Sequence, residues 1–396
     1  MTNKPIKLCV FFTFLMSLKR WKDEGIFERE VFYYKELQKQ GFEITFVTYA
    51  NCDDFAFEKE MSGIKVFPLF SEYKKLWAKP FLFFLSFWQI WKKRQFFKSF
   101  DIFKSNQMHG SCFALFAARL LKKPFILRCG YELYHLAKVE KQSFLKRAWL
   151  YGLSRLSYHM SHSIILSSEN VSQNVQRYFS IKPEKIVLNP NYIDTKLFKP
   201  EAKSKKHNSR IVFVGRLHFH KNLLNLLRAA KKLSLGLDLV GKGELRSEIE
   251  ALAKELEADV RFLGYFPNEE LPKIFNQYRF FALPSISEGN PKTLLEAMSC
   301  GLAVVGNDVS GINNIIEDKT NGLLCDGTAE GLEEAFSLLL KDTSLEENIA
   351  LRARDYVLKN CSLKQSIEIE KSVYQKFTNI DGENLTPSKS SHWSAI

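Results

Sequence analysis

Short apolar runs alternate with helical patterns along most of the chain, and this alternation constrains the fold more than any other feature. In the first half the apolar runs are Lys7–Phe14, Glu43–Tyr49, Ile64–Pro68, Phe125–Arg128, Ser163–Leu166 and Lys185–Leu188. Helical patterns separate most of them, for example Glu28–Lys39, which Gly41 closes. Buried strands separated by helices predict an α/β fold with a parallel, doubly wound sheet.

A polar, charged stretch without periodicity, Pro200–Ser209, interrupts this alternation. The pattern then resumes through Arg210–Val214, a helix over Asn222–Leu233, Leu237–Val240, Val260–Leu263, Phe280–Leu283 and Ala303–Gly306. A chain of 396 residues is long enough for two cores. We therefore predict two Rossmann-like domains that face each other across a cleft, with ligands at the carboxyl ends of the strands.

The predicted boundaries follow from these patterns. Residues 1–199 form an N-terminal domain, 200–209 the linker, and 210–360 a C-terminal domain. Residues 361–380 are expected to form a helix that packs back on the N-terminal domain. The polar, aperiodic residues 381–396 are expected to be a disordered tail.

Positive charge is concentrated in the first half of the chain. Residues 1–200 contain 32 Lys and Arg against 17 Asp and Glu, a net charge of +15, whereas residues 201–396 carry 25 against 27, a net charge of −2. Such asymmetry favours an anionic membrane surface or a polyanion as the partner of the first half. The alternative is a solvated basic face that keeps the protein soluble. No recognised nucleic-acid-binding module is visible, so we expect no nucleic-acid partner.

One aromatic segment, Leu76–Trp91, lies between Lys74–Lys75 and Lys92–Arg94. It is too short to span a bilayer, but aromatic residues with basic flanks are typical of a segment in the membrane interface. The alternative is an amphipathic helix buried in the first domain. No apolar run of the sequence reaches spanning length, and seven cysteines without a C-x-x-C pair indicate reduced, buried thiols. We therefore expect a cytoplasmic protein, peripheral on the cytoplasmic face of the membrane.

Two motifs in the second half have the spacing of an anion site. Gly215 and Arg216 follow a predicted strand, and Lys221 precedes the next helix. A cation at a strand end and another at a helix start can converge on one anion, together with the free N–H groups of the helix.

The second motif pairs Glu288 with Glu296 around a predicted loop and helix start. Pro291 suits the first position of this helix, and Asn290 suits the cap before it. Glu296 would then lie about one and a half turns into the helix, where its carboxylate can accept hydrogen bonds from vicinal hydroxyls. The alternative is a capped helix with a solvated Glu.

Together, residues 211–325 resemble the donor half of glycosyltransferase family four (glycosyl transferases group 1), retaining enzymes of the GT-B fold. The matching segments are VFVGRLHFHKNLLNLLRAA, LVGKGELRSEIE, VRFLGYFPNEEL, ALPSISEGNPKTLLEAMSCGLAVVGNDVSGINNII and NGLLCDG. In the first half, VLNPNYIDTKLFKP resembles the stretch at the family's domain crossover. The resemblance implies transfer of a sugar from a UDP- or GDP-linked donor to a glycan or lipid-linked acceptor in cell-surface polysaccharide, lipopolysaccharide or glycoconjugate biosynthesis.

The resemblance also implies roles for individual residues. Arg216 and Lys221 match the pair that neutralises the donor diphosphate, Glu296 the acceptor of the ribose hydroxyls, and Glu288 the Glu beside the donor sugar. The implied catalytic set is Glu288, Arg216, Lys221 and His109, the last resembling a first-domain His that faces the donor. The implied donor contacts are Gly215, Arg216, Lys221, Gly289, Asn290, Pro291 and Glu296. Asn290 stands where relatives often have a bulky apolar residue.

No metal or cofactor is expected. No two Asp residues lie two positions apart, so the D-x-D metal motif is missing. Arg216 and Lys221 can supply the charge that a metal would otherwise give to a departing diphosphate. His218 and His220 form an H-x-H, but no third zinc ligand is evident nearby.

Two other functions fit the same residues less well. One is another GT-B sugar-nucleotide enzyme of the epimerase type, which would not need a basic, aromatic first half. The other is a non-catalytic subunit that binds a sugar nucleotide. The presence of Arg216, Lys221, Glu288 and Glu296 together argues against the second.

Overall fold

The structure is a computed structural model that describes residues 4–73, 79–201 and 207–378. The elements of the first half are β1 (Ile6–Phe11), α1 (Leu18–Asp23), α2 (Phe27–Gln38), β2 (Phe42–Thr48), β3 (Lys65–Pro68), α3 (Lys79–Lys92), α4 (Arg94–Phe97), β4 (Ile102–Ser105), α5 (Ser111–Leu121), β5 (Phe125–Cys129), α6 (Leu133–Val139), α7 (Phe144–Met160), β6 (Ser163–Leu166), α8 (Glu169–Phe179) and β7 (Ile186–Leu188).

The elements of the second half continue the alternation of strands and helices and end in three helices. They are β8 (His207–Val214), α9 (Leu223–Lys232), β9 (Gly236–Val240), α10 (Arg246–Glu255), β10 (Val260–Gly264), α11 (Leu271–Phe275), β11 (Tyr278–Leu283), α12 (Lys292–Ser299), β12 (Ala303–Asn307), β13 (Leu323–Cys325), α13 (Ala329–Lys341), α14 (Thr343–Asn360) and α15 (Leu363–Thr378).

Two parallel sheets organise these elements. The first has the order β3-β2-β1-β4-β5-β6-β7, and the second has the order β10-β9-β8-β11-β12-β13. Each sheet reverses its strand order once, between β1 and β4 and between β8 and β11. Two doubly wound domains with separate hydrophobic cores are therefore present, and the predicted fold class is confirmed.

Several element bounds differ from those predicted. The first strand ends at Phe11 rather than Phe14, because the chain turns there: the Met16 N–H donates to the Thr13 carbonyl at 2.9 Å, and Leu15 has a φ of 67°. At the other domain, β8 begins at His207, so the last residues of the predicted linker belong to a strand. Residues 202–206 of that linker, and the predicted tail 381–396, lie outside the described residues.

The change from one domain to the other occurs before the predicted boundary at residue 199. Tyr192 packs in the first core, whereas Ile193 and Phe198 already pack in the second. The Ser299 hydroxyl donates to the Phe198 carbonyl at 2.6 Å, which holds this segment on α12. Apolar packing thus assigns the crossover segment, residues 193–198, to the C-terminal domain, although it directly follows the N-terminal domain in sequence.

The last helix, α15, lies on the N-terminal domain, where Ile367, Val373 and Tyr374 enter the first core. Glu370 joins it to the sheet. Its carboxylate accepts from Lys104 on β4 at 2.7 Å and from Arg128 on β5 at 3.0 Å. Tyr374 also donates to it, at 2.5 Å.

Two further findings concern the sequence expectations. No helix among the described residues is long and apolar enough to cross a membrane. Four of the seven cysteines are buried as expected, whereas Cys52 is exposed and Cys112 and Cys325 are half-buried.

The Glu370 cluster predicts a large effect on stability. Burial alone would raise the pKa of Glu370, but Lys104 and Arg128 outweigh it and lower that pKa. Glu370→Ala leaves the buried Lys104 and the half-buried Arg128 without this partner and should lower the free energy of unfolding by about 3–5 kcal/mol in denaturant titrations. Because the folded-state pKa is lowered, this contribution is present above the unfolded-state value of about 4.3 and is lost as the pH falls. Glu368→Ala, which removes an exposed carboxylate of the same helix, should change stability by less than about 1 kcal/mol; equal losses would contradict the assignment.

Candidate active site

The candidate site of the C-terminal domain lies where the second sheet reverses its strand order. From β8 and β11, which are neighbours, the chain departs to opposite sides, so a crevice opens at their carboxyl ends. The loop after β8 spans residues 215–222 and the loop after β11 spans 284–291. The Ile286 N–H donates to the His220 carbonyl at 2.8 Å, so the backbones of the two loops are joined.

This junction brings together two of the predicted residues, Lys221 and Glu288. The Lys221 ammonium donates to the Glu288 carboxylate, and both side chains are largely shielded from solvent. Arg216 leaves β8 at the same edge and is exposed, and no acidic side chain of the described residues pairs with it. The crevice thus presents one free guanidinium beside one ion pair.

The backbone around Glu288 is held by a second loop. The Glu288 N–H donates to the Ser310 carbonyl at 3.4 Å. Gly311 has a φ of +86°, and a Cβ built on it would lie 2.3 Å from the Glu288 carbonyl oxygen. Only glycine combines this conformation with this approach. The position of Glu288 therefore depends on the loop after β12.

The start of α12 differs from the prediction. Pro291 is the cap residue, with φ −74° and ψ 108°, and the helix begins at Lys292. Because Pro291 is extended, it cannot be the first helical residue. Asn290 is not the cap: its side-chain amide donates to the Ser167 carbonyl of the N-terminal domain at 2.7 Å. The predicted cap residue is instead an interdomain contact.

Glu296 lies on α12 and is only 3% exposed, which excludes a solvated Glu. Its Oε1 accepts from the Asn268 side chain at 2.9 Å, whereas its Oε2 is buried and has no hydrogen-bond partner in the structure. Burial raises the pKa of this carboxyl, and the bond from Asn268 and the charge of Lys292 offset part of that rise. A buried carboxylate oxygen without a donor is costly unless a ligand supplies one.

Glu296 lines a cavity of about 750 Å³ between the two domains. Tyr265 and Asn268 form the wall on the C-terminal domain, and Lys22 and Arg29 form the opposite wall on α1 and α2. The predicted residues Arg216, Lys221 and Glu288 lie outside this cavity. The predicted set is therefore divided between the strand-reversal crevice and the cavity that Glu296 lines.

The N-terminal domain places His109 at its own strand reversal, in the turn between β4 and α5. The His109 carbonyl accepts from the Phe14 N–H, in the loop after β1, at 2.9 Å. The imidazole is exposed. Partial desolvation and then the charge of Lys146 lower the pKa of His109, so its neutral form is favoured at pH 7.

The two domains are in contact at the loop after β11, which borders the crevice of the C-terminal domain. Besides the Asn290 contact with Ser167, the Asn191 side chain donates to the Asn290 carbonyl at 2.9 Å. The Ser167 hydroxyl in turn donates to the Gly130 carbonyl at 2.7 Å. Loops after β5 and β6 of the first sheet therefore face the loop after β11 of the second, as the predicted cleft requires.

The predicted H-x-H does not gather further ligands. The His218 ring lies 3.3 Å from Glu244, and within residues 4–73, 79–201 and 207–378 no group of three His, Cys, Asp or Glu side chains has the arrangement of a metal site.

Comparison with protein families covers both domains. A family described as "Glycosyltransferase Family 4" matches residues 33–197, and one described as "Glycosyl transferases group 1" matches residues 194–356. The two matches are consecutive and meet at the observed crossover. The chain belongs to glycosyltransferase family four. The predicted resemblance is thereby confirmed, and it extends over the N-terminal domain as well as the donor half.

Named relatives of this family-four chain come from Campylobacter jejuni. The chain is 32% identical over 210 residues to an N-acetylgalactosamine-N,N'-diacetylbacillosaminyl-diphospho-undecaprenol 4-alpha-N-acetylgalactosaminyltransferase, a match covering 51% of this chain and 57% of that relative. The chain thus spans little more than half the length of that relative. It is 26% identical over 319 residues to an N,N'-diacetylbacillosaminyl-diphospho-undecaprenol alpha-1,3-N-acetylgalactosaminyltransferase, covering 76% of this chain and 83% of the relative.

Among solved structures, Anabaena HepE in complex with UDP superimposes with a TM-score of 0.73 over 94% of this chain and all of that one, at 15% identity. At this identity the likeness concerns the fold, which is the GT-B architecture.

Several side chains of the cavity were not predicted from the sequence. Tyr265 and Asn268 follow β10, and Arg29 and Tyr192 come from the N-terminal domain. Their only sequence signal is that Tyr265 and Asn268 follow an apolar strand, a position where side chains often contact ligands. Nothing in the sequence brings Arg29 to the same cavity.

The close approach of Gly311 to Glu288 can be tested by substitution. Gly311→Ala should lower the free energy of unfolding by about 2–4 kcal/mol, because it adds a backbone clash to the cost of a positive φ. The loss should be measured as a lower midpoint of thermal unfolding. Gly41→Ala is the matched control: Gly41 also has a positive φ, +92°, but a Cβ built on it has open space around it. Equal losses for the two variants would show that the Ser310–Gly311 loop does not hold Glu288.

Proposed function

We propose that this chain is a retaining, metal-independent glycosyltransferase that moves a sugar from a UDP- or GDP-linked donor to a glycan or lipid-linked acceptor. The observation that carries the proposal is the pairing of two sites. A buried carboxylate oxygen of Glu296 lacks a partner at a cavity wall, and two cations with a Glu occupy the neighbouring strand-reversal crevice. A nucleotide sugar has a diol, a diphosphate and a hydroxylated sugar in that sequence.

The donor roles follow from the chemistry of each group. The ribose of a nucleoside diphosphate carries two vicinal hydroxyls, which can donate to the unpaired Oε2 of Glu296. Tyr265 and Asn268 line the same cavity and provide a wall for the base. Glu288, displaced from Lys221 when a phosphate takes that cation, is free to accept from the sugar hydroxyls.

The reaction breaks the bond between the anomeric carbon and the diphosphate oxygen and forms a bond to an acceptor oxygen, whose hydroxyl proton passes to the departing diphosphate. Negative charge develops on the departing diphosphate. Arg216, Lys221 and the backbone N–H groups of Gly289, Asn290 and Lys292 can stabilise this charge. Asn290 and Pro291 hold that backbone between the domains, and His109 faces the cleft from the acceptor side.

The acceptor class is supported by the relatives, two of which are named for diphospho-undecaprenol substrates. A lipid-linked acceptor requires contact with a membrane, and the net charge of +15 on residues 1–200 would favour the anionic cytoplasmic leaflet. We therefore place the protein on the cytoplasmic side, bound peripherally, in the synthesis of a cell-surface glycan.

Two alternatives use the same residues without glycosyl transfer. An epimerase-type enzyme would act on the sugar nucleotide alone, and a non-catalytic subunit would bind it without turnover. Incubation with a nucleotide sugar and a lipid-linked acceptor separates the three outcomes. A glycosylated product with the donor's anomeric configuration supports a retaining transferase, whereas an inverted product contradicts that stereochemistry.

The two cations provide a test of metal independence. Turnover should persist in EDTA, and Arg216→Ala should cost about 2–4 kcal/mol of transition-state stabilisation, measured as kcat/KM. Arg216 is the cleaner site, because loss of Lys221 also leaves Glu288 without its partner. Lys232→Ala, which removes an exposed cation at the far end of α9, is the control. If chelation abolished turnover and Mg²⁺ restored it, a metal would be needed.

The two glutamates should separate in calorimetry with the nucleoside diphosphate alone. Glu296→Gln removes the carboxylate assigned to the ribose while preserving the side-chain volume, so affinity should fall by about tenfold or more. Glu288→Gln should leave this affinity within about threefold and lower turnover instead, because Glu288 is assigned to the sugar. Equal losses of affinity in the two variants would contradict this division of roles.

A further inference from the structure

The N-terminal domain has an aromatic face with large exposed side chains. On α3 the large exposed side chains are Phe81, Phe84, Trp88 and Trp91, between 47% and 71% exposed. Their spacing of three, four and three residues places them along one side of the helix. Within residues 79–91, the described part of the predicted segment, α3 is therefore an amphipathic helix with one aromatic side exposed.

The opposite side of α3 is firmly packed. The rings of Phe83 and Phe87 lie 5.2 Å and 4.8 Å from the ring of Phe113 on α5. Leu82 and Ile90 are buried in the first core. This packing fixes the rotation of the helix, so the exposed aromatic side is a consequence of the fold rather than of a loosely attached helix.

A second helix, which the sequence did not single out, extends this face. The first turns of α7 expose Phe144 by 77%, Leu145 by 80% and Trp149 by 58%. The Trp149 ring lies 6.0 Å from the Phe83 ring, so the two helices are in contact. Both helices also pack on α5. We call the exposed apolar side chains of α3 and α7 the aromatic face.

The charged side chains of α3 and α7 themselves are basic. Neither α3 nor α7 contains an Asp or a Glu. The Lys92 ammonium lies 5.2 Å from the Trp88 ring and the Arg94 guanidinium lies 4.7 Å from the Trp91 ring, so cations border the rings. At the edge of the aromatic face, the carboxylate of the exposed Glu72 pairs with the Lys92 ammonium at 3.0 Å. Exposed aromatics with bordering cations match a membrane interface, where rings sit at the headgroup level and cations meet lipid phosphates.

We propose that the aromatic face of α3 and α7 together is the surface by which this protein docks on an anionic lipid bilayer, with the first turns of α7 inserted beside α3. Only the purpose of this docking, access to a lipid-linked acceptor, rests on the proposed function.

Charge also argues against a second copy of the chain as the occupant. A twofold dimer would place the same surface against itself, so the cations of α3 and α7 would meet each other, while the carboxylate of Glu72 already pairs with Lys92 and Lys93. A bilayer containing anionic lipid offers the complementary charge and an apolar layer for Phe144, Leu145 and Trp149. The aromatic face lies near the turn that carries His109, since the charge of Lys146, in the first turn of α7, contributes to lowering the pKa of His109.

The test uses the full chain and vesicles of phosphatidylcholine with or without phosphatidylglycerol. Wild-type protein should sediment with the anionic vesicles, less at high salt but not to zero, because the apolar contribution is insensitive to salt. Leu145→Gln with Trp149→Gln, on α7, should weaken the vesicle affinity by about tenfold or more, as should Phe84→Gln with Trp88→Gln on α3. Leu351→Gln, an exposed leucine of the other domain, should leave it unchanged.

A second readout reports direct contact of α7 with lipid. Brominated lipid should quench tryptophan fluorescence, and Trp149→Phe should remove a measurable share of that quenching. If the α7 variant bound like wild type and Trp149→Phe changed nothing, α7 would not be part of the surface. Self-association that the same variants abolish, or binding of an acidic protein without vesicle binding, would also overturn the proposal.

Donor hydrolysis measured on the same samples separates this proposal from the proposed function. Loss of vesicle binding with intact hydrolysis in the α7 variant supports the docking surface. Absence of hydrolysis in wild-type protein that still binds vesicles would reject the transferase while leaving the surface intact.

Discussion

The reversal of strand order between β8 and β11 is the constraint on which the site depends. In a parallel sheet, each strand is connected to the next by a crossover that passes over one face of the sheet. The crossovers after β8 and β11 leave toward opposite faces, so a crevice stays open at the carboxyl ends of these two neighbouring strands. The loops that border this space come from positions far apart in sequence. Lys221 and Glu288 meet there across 67 residues, and the Ile286 to His220 hydrogen bond fixes their spacing.

The same arrangement in the first sheet gives the cleft its second wall. His109 and Phe14 meet at the reversal between β1 and β4. Each domain has its own core. Polar contacts such as that of Asn290 with Ser167 join the two domains. The C-terminal helix α15 returns to the N-terminal domain, where Glu370 pairs with Lys104 and Arg128. The chain therefore crosses between the domains twice.

The aromatic face shows how packing decides the meaning of a composition. The sequence of α3 is compatible with a core helix and with an interfacial helix, because Phe and Trp occupy both sides. Packing of Phe83 and Phe87 on Phe113 leaves the other side exposed. The α7 contribution had no comparable sequence signal, because its apolar residues are scattered among Lys and Arg; it becomes evident only beside α3.

The sequence by itself determined the fold class, most strands and the donor motifs, because apolar periodicity and local motifs are properties of neighbouring residues. It did not show why Lys104 of β4 can be buried, since the Glu370 that pairs with Lys104 lies 266 residues away. It also assigned Asn290 to a helix cap, although the Ser167 carbonyl of the other domain accepts its amide. Only the tertiary structure decided these points, together with the cavity that Arg29 and Glu296 share, because burial and pairing depend on residues that are adjacent in space and remote in sequence.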